Sequence, residues 1–381
     1  MNVVGPPFGL SVWDAALDAD LRAGLAAVEE GLLDATKSDV PFITDAARHL
    51  LQAGGKRFRP LLVMLGAQFG DPHAPGVVPS AVVVELTHLA TLYHDDVMDE
   101  ADARRGVHSA NARWGNSVAV LTGDFLFSRA SHILADLGPE AVRVQAEAFE
   151  RLVTGQILET VGPRDGRDPL DHYMEVLAGK TSSLMAVSGR FGAMMSGADE
   201  SVVHTLTQFG ERIGIAFQLA DDVLDIASDH HESGKTPGTD LREGVPTLPV
   251  LHVRKMYAQA VAAGGHVSAD DRRLNELLDG DLTDDALHAE ALGLLRAHPA
   301  LDQARRDSRQ YAAEALAALA PLAEGPAKQA LAGLCDAAVD RASWAAGGAS
   351  RAGGPPKRGC RPGPATPRPH PGALLPGAYG G

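Results

Sequence analysis

Two copies of an Asp-Asp-x-x-Asp pattern, at residues 95–99 and 221–225, are the part of this chain best suited to chemistry. Both lie in apolar, helix-forming sequence, where carboxylates on adjacent turns repel one another unless a cation neutralises them. Residues four apart share a helix face, so Asp95 pairs with Asp99. Mg²⁺ takes one or two protein carboxylates and completes its shell with water and substrate phosphates. The patterns therefore predict a metal-diphosphate site, with a solvated acidic helix face as the alternative.

Basic residues near the first pattern are candidates for binding phosphate groups. The segment Gly54-Gly-Lys-Arg-Phe-Arg-Pro60 is a glycine turn leading into a helix, and Lys56 and Arg59 lie three apart there. Arg104 and Arg105 follow the first pattern by just over one turn. Arg presents a planar fork to phosphate and Lys a point charge. An ordinary basic helix start and simple charge compensation remain the alternatives for these cations.

Other polar side chains stand at helical intervals from the acidic patterns. His88 precedes Asp95 by two turns and so shares its face, although a lone histidine there is more often a core residue. Gly179-Lys180-Thr181 interrupts an apolar helix with a cation and a hydroxyl group. Gln218 lies one turn before Asp221. We treat these side chains as candidate site residues.

A long loop predicted at residues 228–249 directly follows the second pattern and contains Gly234-Lys-Thr-Pro-Gly-Thr-Asp240. Loops of this length are often functional, and a closing loop would bring Lys235 to the diphosphate and exclude water. A Gly-Lys-Thr triplet also occurs in nucleotide-binding P-loops, but Met174 and Asp229 stand where that motif needs its first glycine. We therefore predict a lid rather than a nucleotide site.

Helices are the elements that must position these residues. Apolar residues recur at helical spacing from about residue 11 to residue 195, and strand-like alternation is scarce. We predict helices over residues 81–101 and 201–227, which carry the two acidic patterns, and short helices over residues 250–344. The hydrophobic content of 45% and the mean hydropathy of -0.06 are typical of a globular, helix-rich chain with a large core.

Composition divides the chain into three parts. No linker interrupts residues 24–344, which we predict to form one domain after an N-terminal segment, residues 1–23. Residues 345–381 are rich in Gly, Pro and Arg and contain no acidic residue, so we predict a disordered tail. Contact of this basic tail with an anionic membrane, where a lipidic product leaves, is one open role for it.

Charge and cysteine content exclude several classes of function. The net charge of -15 and the lack of a basic stripe with interleaved aromatic residues argue against nucleic acid as a partner. Two cysteines, Cys335 and Cys360, make neither a disulfide framework nor a cysteine metal site, so we expect a cytoplasmic protein. Residues 1–14 lack a cationic region before an apolar core, and no 18 consecutive residues are apolar, so we expect neither export nor a membrane span.

Together these motifs resemble those of the trans-isoprenyl diphosphate synthases, the polyprenyl synthetase family. The resemblance covers roughly residues 24–344, and the motifs stand in the family's order without degradation, so activity is expected. The segments that carry it are Gly54-Gly-Lys-Arg-Phe-Arg-Pro60, Leu92-Tyr-His-Asp-Asp-Val-Met-Asp-Glu100 with Arg104-Arg105-Gly106, Gly123-Asp124-Phe125-Leu126, Gly179-Lys-Thr181, Phe217-Gln-Leu-Ala-Asp-Asp-Val-Leu-Asp225 and Gly234-Lys-Thr-Pro-Gly-Thr-Asp240.

The resemblance implies an all-α, isoprenoid-synthase-like helical bundle around a deep central cavity, with the two aspartate-rich helices facing each other across its mouth. It also implies a homodimer and three Mg²⁺ ions per active site. The direct ligands would be Asp95, Asp99 and Asp221, with Asp96, Asp222 and Asp225 as further ligands or close neighbours. The metals and three cations would bind an allylic diphosphate: Arg104, Lys180 and Lys235. The diphosphate of isopentenyl diphosphate would be held by Lys56, Arg59, His88 and Arg105.

The implied reaction is a head-to-tail condensation. The allylic C–O bond breaks, the double bond of isopentenyl diphosphate attacks the resulting cation, and a proton leaves to the departing diphosphate. Thr181 and Gln218 would polarise or steady this centre. Ala90 and Thr91 lie just before Asp95, where large aromatic residues in this family block the cavity, so we expect an open floor and a long polyprenyl product for a quinone side chain. Close helix packing is the alternative reason for small residues there.

Three other functions stay open. A shorter-product synthase would make geranylgeranyl or farnesyl diphosphate with the same motifs. A non-catalytic subunit of a heteromeric synthase would be expected to lose aspartates, whereas both patterns are intact here. A class I terpene cyclase would mix Asn, Ser and Glu in its second metal motif rather than repeat the first.

Overall fold

The computed structural model describes residues 14–227 and 237–339. Within these ranges the chain forms sixteen α-helices and one antiparallel hairpin of two short strands, so the predicted all-α fold class is confirmed. The helices before the hairpin are α1 (Ala15–Ala35), α2 (Pro41–Gln52), α3 (Phe58–Ala67) and α4 (Val77–Met98). The hairpin strands are β1 (Ala103–Arg104) and β2 (Val107–His108). The later helices are α5 (Ala110–Trp114), α6 (Asn116–Leu137), α7 (Pro139–Val161), α8 (Pro169–Lys180), α9 (Ser182–Met195), α10 (Glu200–Ala227), α11 (Thr239–Arg242), α12 (Leu248–Ala262), α13 (Ala269–Leu278), α14 (Asp285–Ala297), α15 (Pro299–Ala318) and α16 (Pro326–Val339).

Helix α9 lies between the two helices that carry the acidic patterns. Helix α4 packs against α3, α6 and α9, whereas α10 packs against α9, α15 and α16. One hydrophobic core joins most helices from α1 to α10 with α15 and α16. A smaller core, which includes Ile226, Val250 and Leu295, lies at the end of α10. The second acidic pattern is therefore held where two cores meet.

The crossing of α3 and α9 depends on glycine. Nearly every residue of both helices is buried, as expected for helices without a polar face. A Cβ atom at Gly192 would lie 2.3 Å from the carbonyl oxygen of Val63 and 3.0 Å from the Cα atom of Gly66. The two backbones are therefore in direct contact, and this contact holds the helix that carries Arg59.

The helices that carry the acidic patterns lie close to their predicted ranges. Helix α10 matches the prediction over residues 201–227, whereas α4 begins and ends a few residues before the predicted 81–101. Asp99 caps α4, and Glu100 then takes a left-handed conformation with φ 50°, which turns the chain into the hairpin. Strands of two residues are too short to produce an alternating pattern, so the sequence did not predict the hairpin.

The ends of the chain and the loop after α10 are only partly within the described ranges. Helix α1 crosses the predicted domain boundary at residue 23, and Leu17 and Leu21 lie in the main core. Of the predicted loop, residues 237–249 contain α11 and the start of α12, while Lys235 lies outside the described residues. The predicted tail also lies outside them. Among the described helices, none is both long and apolar enough to cross a membrane.

Candidate active site

The first acidic pattern places its three carboxylates in different environments. Asp95 is partly exposed, and burial raises its pKa to about 6 against the opposing charge of Lys180. Asp99 is exposed at the end of α4. Asp96 is fully buried: Oδ1 accepts a hydrogen bond from Arg104 Nε at 2.6 Å, and no hydrogen-bond partner of Oδ2 is found among the described residues. Asp95 and Asp99 therefore face the site, and Asp96 holds Arg104.

In the second pattern, Asp222 is a buried hydrogen-bond acceptor. Its Oδ2 accepts from the Tyr173 hydroxyl group and from the Leu248 amide at 3.1 Å, and its Oδ1 accepts from Gln218 Nε2 at 3.3 Å. Burial raises its pKa to about 6, although these three donors act in the opposite direction. Asp222 thus ties α10 to α8 and to the start of α12.

Asp225 has a comparable bracing role at the next turn of α10. Its Oδ1 accepts from the Thr239 amide at 3.2 Å, and its Oδ2 accepts from the Asp240 amide at 3.3 Å. Backbone amides at a helix start attract a carboxylate, so Asp225 anchors α11. Asp221 and Asp225 are both partly exposed, unlike Asp222.

Glu159 and Lys180 connect the two acidic patterns. Lys180, the last residue of α8, forms an ion pair with Glu159 of α7. The charge of Lys180 lowers the pKa of Asp95, while that of Glu159 raises the pKa of both Asp95 and Tyr173. Since Tyr173 donates to Asp222, this set of charges and hydrogen bonds extends from one pattern to the other. The sequence analysis missed Glu159 and Tyr173, because both lie on helices without an acidic pattern.

The residues predicted to hold the second diphosphate lie close together beside α4, where they form a cationic pocket. His88 is half-buried, and its pKa is well below the usual histidine value, first because of lost solvation and then because of the nearby charges of Arg59 and Arg105. The pKa of Arg59 is also lowered by burial, and no hydrogen-bond partner of its buried Nε is found among the described residues. A neutral imidazole and two incompletely neutralised guanidinium groups form a site for an anion.

Glu85 is the buried counter-ion of this pocket, and the sequence analysis missed it. Its Oε1 lies 3.1 Å from Arg57 Nη1, and its charge raises the pKa of Arg59 and Arg105. Arg57 also pairs with Glu29. The sequence offered a signal, because Glu85 is the only acidic residue among the first eighteen residues of α4, a stretch that is otherwise mostly apolar.

The glycine turn before α3 lets the guanidinium groups approach the backbone. A Cβ atom at Gly55 would lie 2.4 Å from Arg57 Nη1 and 3.1 Å from Arg105 Nη1. Arg105 donates to the carbonyl oxygen of Leu50 at 2.9 Å and to that of Gly54. Lys56 is exposed on the same turn. The predicted pocket residues are thus brought together by α3, α4 and the hairpin.

The remaining candidates lie around the acidic patterns. Arg104 is bound to Asp96, and its Nη2 is 3.9 Å from Asp99 Oδ2. Thr181 stands at the junction of α8 and α9, next to Lys180. Gln218 directs its amide to Asp222 rather than to open space.

The two chain-length candidates differ in their surroundings. Ala90 has no exposed surface, and its backbone carbonyl oxygen would be 3.1 Å from a Cβ atom at Gly123 of α6, so the two helices are in close contact there. Thr91 is partly exposed, and its hydroxyl group donates to the carbonyl oxygen of His88 at 2.8 Å. The chain-length role of Ala90 and Thr91 stays a prediction, with close helix packing as the alternative.

The acidic side chains fit a hard divalent cation whose ligands come partly from the protein and partly from a substrate. Among the described residues, no three His, Cys, Asp or Glu side chains form a ready-made metal cage. The carboxylates with exposed surface are Asp95, Asp99, Asp221 and Asp225, two from each pattern. Such a donor set suits Mg²⁺, which keeps waters and binds diphosphate oxygens.

Comparisons with known proteins agree with this arrangement. The model of the Polyprenyl synthetase family matches residues 40–278. The chain is 48% identical over 334 residues to the nonaprenyl diphosphate synthase of Mycobacterium tuberculosis, which covers 87% of this chain and 97% of that protein.

Two solved structures have the same helical architecture. A geranylgeranyl pyrophosphate synthase of Corynebacterium glutamicum, complexed with calcium and isoprenyl diphosphate, superposes with a TM-score of 0.76 at 43% identity and covers 86% of this chain and 98% of its own. A decaprenyl diphosphate synthase of Rhodobacter capsulatus gives a TM-score of 0.76 at 33% identity, with the same coverage of both chains. The bundle is thus the isoprenoid synthase fold, and the chain belongs to the polyprenyl synthetase family of prenyl diphosphate synthases.

Proposed function

We propose that this chain is a Mg²⁺-dependent trans-prenyltransferase that condenses isopentenyl diphosphate with an allylic diphosphate, head to tail, into a long all-trans polyprenyl diphosphate for a quinone side chain. The observation that carries this proposal is the presence of two distinct anion sites on α4. One has carboxylates suited to metal ions, including Asp95, and the other has the partly buried cations Arg59 and Arg105 beside His88. Two diphosphate sites favour condensation over hydrolysis.

At the acidic site, the chain's own residues bind and orient the allylic diphosphate. Bound Mg²⁺ would stabilise the negative charge that builds on this diphosphate as it leaves. Lys180 exchanges its pairing with Glu159 for the diphosphate, and Arg104, braced by Asp96, adds a second cation. The allylic C–O bond breaks with its electron pair on the diphosphate oxygen. Thr181 lies next to Lys180, where its hydroxyl dipole steadies the allylic cation.

At the cationic pocket, Arg59 and Arg105 bind the diphosphate of isopentenyl diphosphate, together with Lys56. His88 donates a hydrogen bond as a neutral imidazole, which adds no further charge to the crowded arginines. The double bond of this substrate attacks the allylic cation and forms the new C–C bond. A proton is then lost to the released diphosphate, which restores the double bond. The pocket thus holds the nucleophile in place and takes no part in bond breaking.

The metal requirement and the product length rest on different support. Calcium together with isoprenyl diphosphate in the Corynebacterium glutamicum relative supports the use of a divalent ion, and three Mg²⁺ ions remain our proposal. The similar proteins include nonaprenyl and decaprenyl synthases, but also a geranylgeranyl synthase at 43% identity. A geranylgeranyl product is therefore the second candidate.

A product-length assay tests the proposed function. The purified chain is incubated with Mg²⁺, labelled isopentenyl diphosphate and farnesyl diphosphate, and the products are separated by chain length after removal of the diphosphate. We expect products longer than geranylgeranyl, and none with Asp95→Ala or Asp221→Ala. Products that stop at geranylgeranyl would replace the long-chain proposal by the shorter one. A wild type that makes no product even with Mg²⁺ would favour a non-catalytic subunit.

We also propose that the enzyme is a cytoplasmic homodimer. Large apolar side chains are exposed on α6 and α7, among them Leu121 at 66% and Ile157 at 56% exposure. A surface of this kind is suited to a second copy of the chain. Light scattering should give a dimer for the wild type and a lower mass for Leu121→Glu.

We assign any peripheral membrane contact for product release to the basic tail, residues 345–381. If no such contact exists, removal of the tail should leave turnover unchanged.

A further inference from the structure

Helix α11 is a single turn that lies beside both acidic patterns. The amides at its start hold Asp225, because those of Thr239 and Asp240 donate to the two carboxylate oxygens at 3.2 Å and 3.3 Å. Its last turn ends at Glu243, whose pKa is raised by lost solvation and by the nearby charges of Asp240 and Asp99. The position of α11 therefore affects the surroundings of both patterns.

A helix this short depends on other elements for its position, since a single turn is not stable alone. The chain enters α11 at Gly238, which takes a left-handed conformation with φ 70°. The Gly238 amide donates to the backbone carbonyl oxygen of Asp225 at 2.8 Å. The Gly238 carbonyl oxygen lies 2.8 Å from His288 Nε2 on α14. His288 thus contacts the residue directly before the amides that hold Asp225.

The contact between His288 and Gly238 is close and buried. His288 is 5% exposed, and a Cβ atom at Gly238 would lie 2.8 Å from its Nε2 atom and 3.2 Å from Leu292 Cδ1. Because a carbonyl oxygen can only accept a hydrogen bond, the proton is on Nε2 and the imidazole donates. A leucine would fill this place without desolvating a polar ring, so apolar packing alone does not explain the histidine.

Other contacts hold α11 less strictly. Arg242 donates to the carbonyl oxygen of Thr283 at 3.0 Å and pairs at 2.8 Å with Asp285, whose side chain is 93% exposed. Exposed ion pairs of this kind add little to stability. Leu241 is buried in the smaller core, and apolar contact of this kind is not directional. The hydrogen bond from His288 is both buried and directional, so it can fix where α11 begins.

We propose, on the basis of the proposed function, that His288 is a positioning residue for the metal-diphosphate site. His288 fixes the Gly238 carbonyl group and so sets the start of α11, whose amides then orient the Asp225 carboxylate. It acts only through α11 and contacts neither pattern itself. The family model matches residues 40–278, so His288 lies beyond that match and belongs to none of the motifs described above.

Three variants separate positioning from packing. His288→Leu keeps an apolar side chain and removes the donor, whereas His288→Gln places an amide nitrogen near the position of Nε2. His288→Asn also has an amide, but its side chain is too short to reach Gly238. We expect the leucine and asparagine variants to bind inorganic diphosphate about 10-fold more weakly at a fixed Mg²⁺ concentration, and the glutamine variant to restore most of the affinity. Isothermal titration calorimetry measures this binding without turnover.

Two further measurements report on the position of α11. In hydrogen exchange followed by mass spectrometry, the peptide that contains residues 238–242 should exchange faster in His288→Leu than in the wild type, because the start of α11 is released. In turnover assays, the Mg²⁺ concentration for half-maximal rate should rise. The KM of isopentenyl diphosphate should stay unchanged, because the cationic pocket is formed by α3, α4 and the hairpin. General destabilisation would not separate these two constants.

His298→Ala is the matched control. His298 is a half-buried histidine at the junction of α14 and α15, where its Nδ1 accepts from the Ala300 amide at 3.0 Å and its Nε2 lies 3.3 Å from Asp271 Oδ1. Its loss should lower stability and leave the affinity for diphosphate unchanged. A loss of affinity as large as that of His288→Leu would assign the effect to stability and overturn the proposal.

Unchanged affinity and exchange in folded His288→Leu would also overturn it. If that variant does not fold, as seen by circular dichroism, the glutamine and asparagine variants decide, and equal affinities of these two would overturn the positioning role. A wild type that binds diphosphate but makes no product would overturn the proposed function instead, since the binding and exchange measurements do not depend on turnover.

Discussion

Single carboxylates within one motif have different tasks. Asp96 and Asp222 are buried and hydrogen-bonded to Arg104 and Tyr173, and Asp225 caps α11. Asp95 is partly exposed and has a raised pKa, because its charge is incompletely solvated and a bound cation would stabilise it. An aspartate motif of this kind therefore combines proposed metal ligands with residues that hold the surrounding loops in place.

Removal of the Tyr173 hydroxyl group should weaken metal binding indirectly. Tyr173→Phe deprives buried Asp222 of one of three donors, which costs about 1–3 kcal/mol of stability. Loss of such a supporting hydrogen bond typically weakens metal affinity by about 10- to 100-fold. We expect the Mg²⁺ concentration for half-maximal turnover to rise, with the KM of isopentenyl diphosphate unchanged. A Mg²⁺ dependence equal to that of the control Tyr257→Phe would contradict this prediction.

His88 should make folding stability depend on pH. The pKa of folded His88 is lowered, so between that value and the unfolded pKa of roughly 6.5 only the unfolded state binds the proton. Stability therefore falls as pH falls below roughly 6.5, by up to about 1.4 kcal/mol per pH unit for this group. His88→Gln should remove this part of the slope. Urea unfolding at several pH values checks it, and parallel wild-type and variant curves would disprove it.

Among the elements, α4 sets the distance between the two proposed diphosphate sites. His88 and Asp95 are seven residues apart on one rigid helix, which corresponds to about 10 Å along its axis. The same helix contributes Glu85, whose charge stabilises the cations of α3 and of the hairpin. Because α4 is buried on most sides, neither site can shift without disturbing the core.

The α3–α9 crossing should be sensitive to a single methyl group. In Gly192→Ala the new Cβ atom meets the Val63 carbonyl oxygen, and overpacking of this kind costs about 1–3 kcal/mol. Gly293→Ala on α14 is the matched control, since nothing lies within 4 Å of its Cβ position, and helix propensity predicts a gain of about 0.5–1 kcal/mol. Denaturant unfolding should give opposite signs, and equal effects would show that the crossing tolerates a side chain.

At the scale of the whole molecule, contacts within the protein hold the carboxylate-bearing helices in place. Asp222 and Asp225 are held by protein donors, and two hydrophobic cores support α10 around them. The overall charge of -15 opposes binding of a polyanionic substrate, so attraction must come from the local cations and metal ions. The fold therefore provides local positive charge on an acidic molecule.

Metal removal should abolish turnover but not folding. With excess EDTA we expect the thermal midpoint to stay near that of the untreated protein, because the supporting hydrogen bonds do not involve the ions. Mg²⁺ with inorganic diphosphate should raise the midpoint, since ligands that bind only the folded state stabilise it. Differential scanning calorimetry measures both. Unfolding by EDTA alone would show that the ions are structural.

Patterns within one element could be predicted from the sequence. Helical spacing placed Asp95 beside Asp99 and predicted the helices that carry them, and the order of motifs indicated the family. Helical spacing also predicted that His88 and Asp95 share a helix face. It could not predict that lost solvation lowers the pKa of His88 and so keeps the imidazole neutral. Local periodicity contains such information because helix geometry relates residues a few positions apart.

Only the tertiary structure decided which distant side chains meet. Tyr173 and Asp222 are 49 residues apart, and Gln145 and Thr87 are 58 apart. It also showed that the backbone of Ala90 lies close to Gly123 of α6. The sequence by itself thus determined the helices, the motifs and the chemical class. The division of carboxylates between bracing and binding depends on burial and on partners from other helices, which only packing of the whole chain brings together.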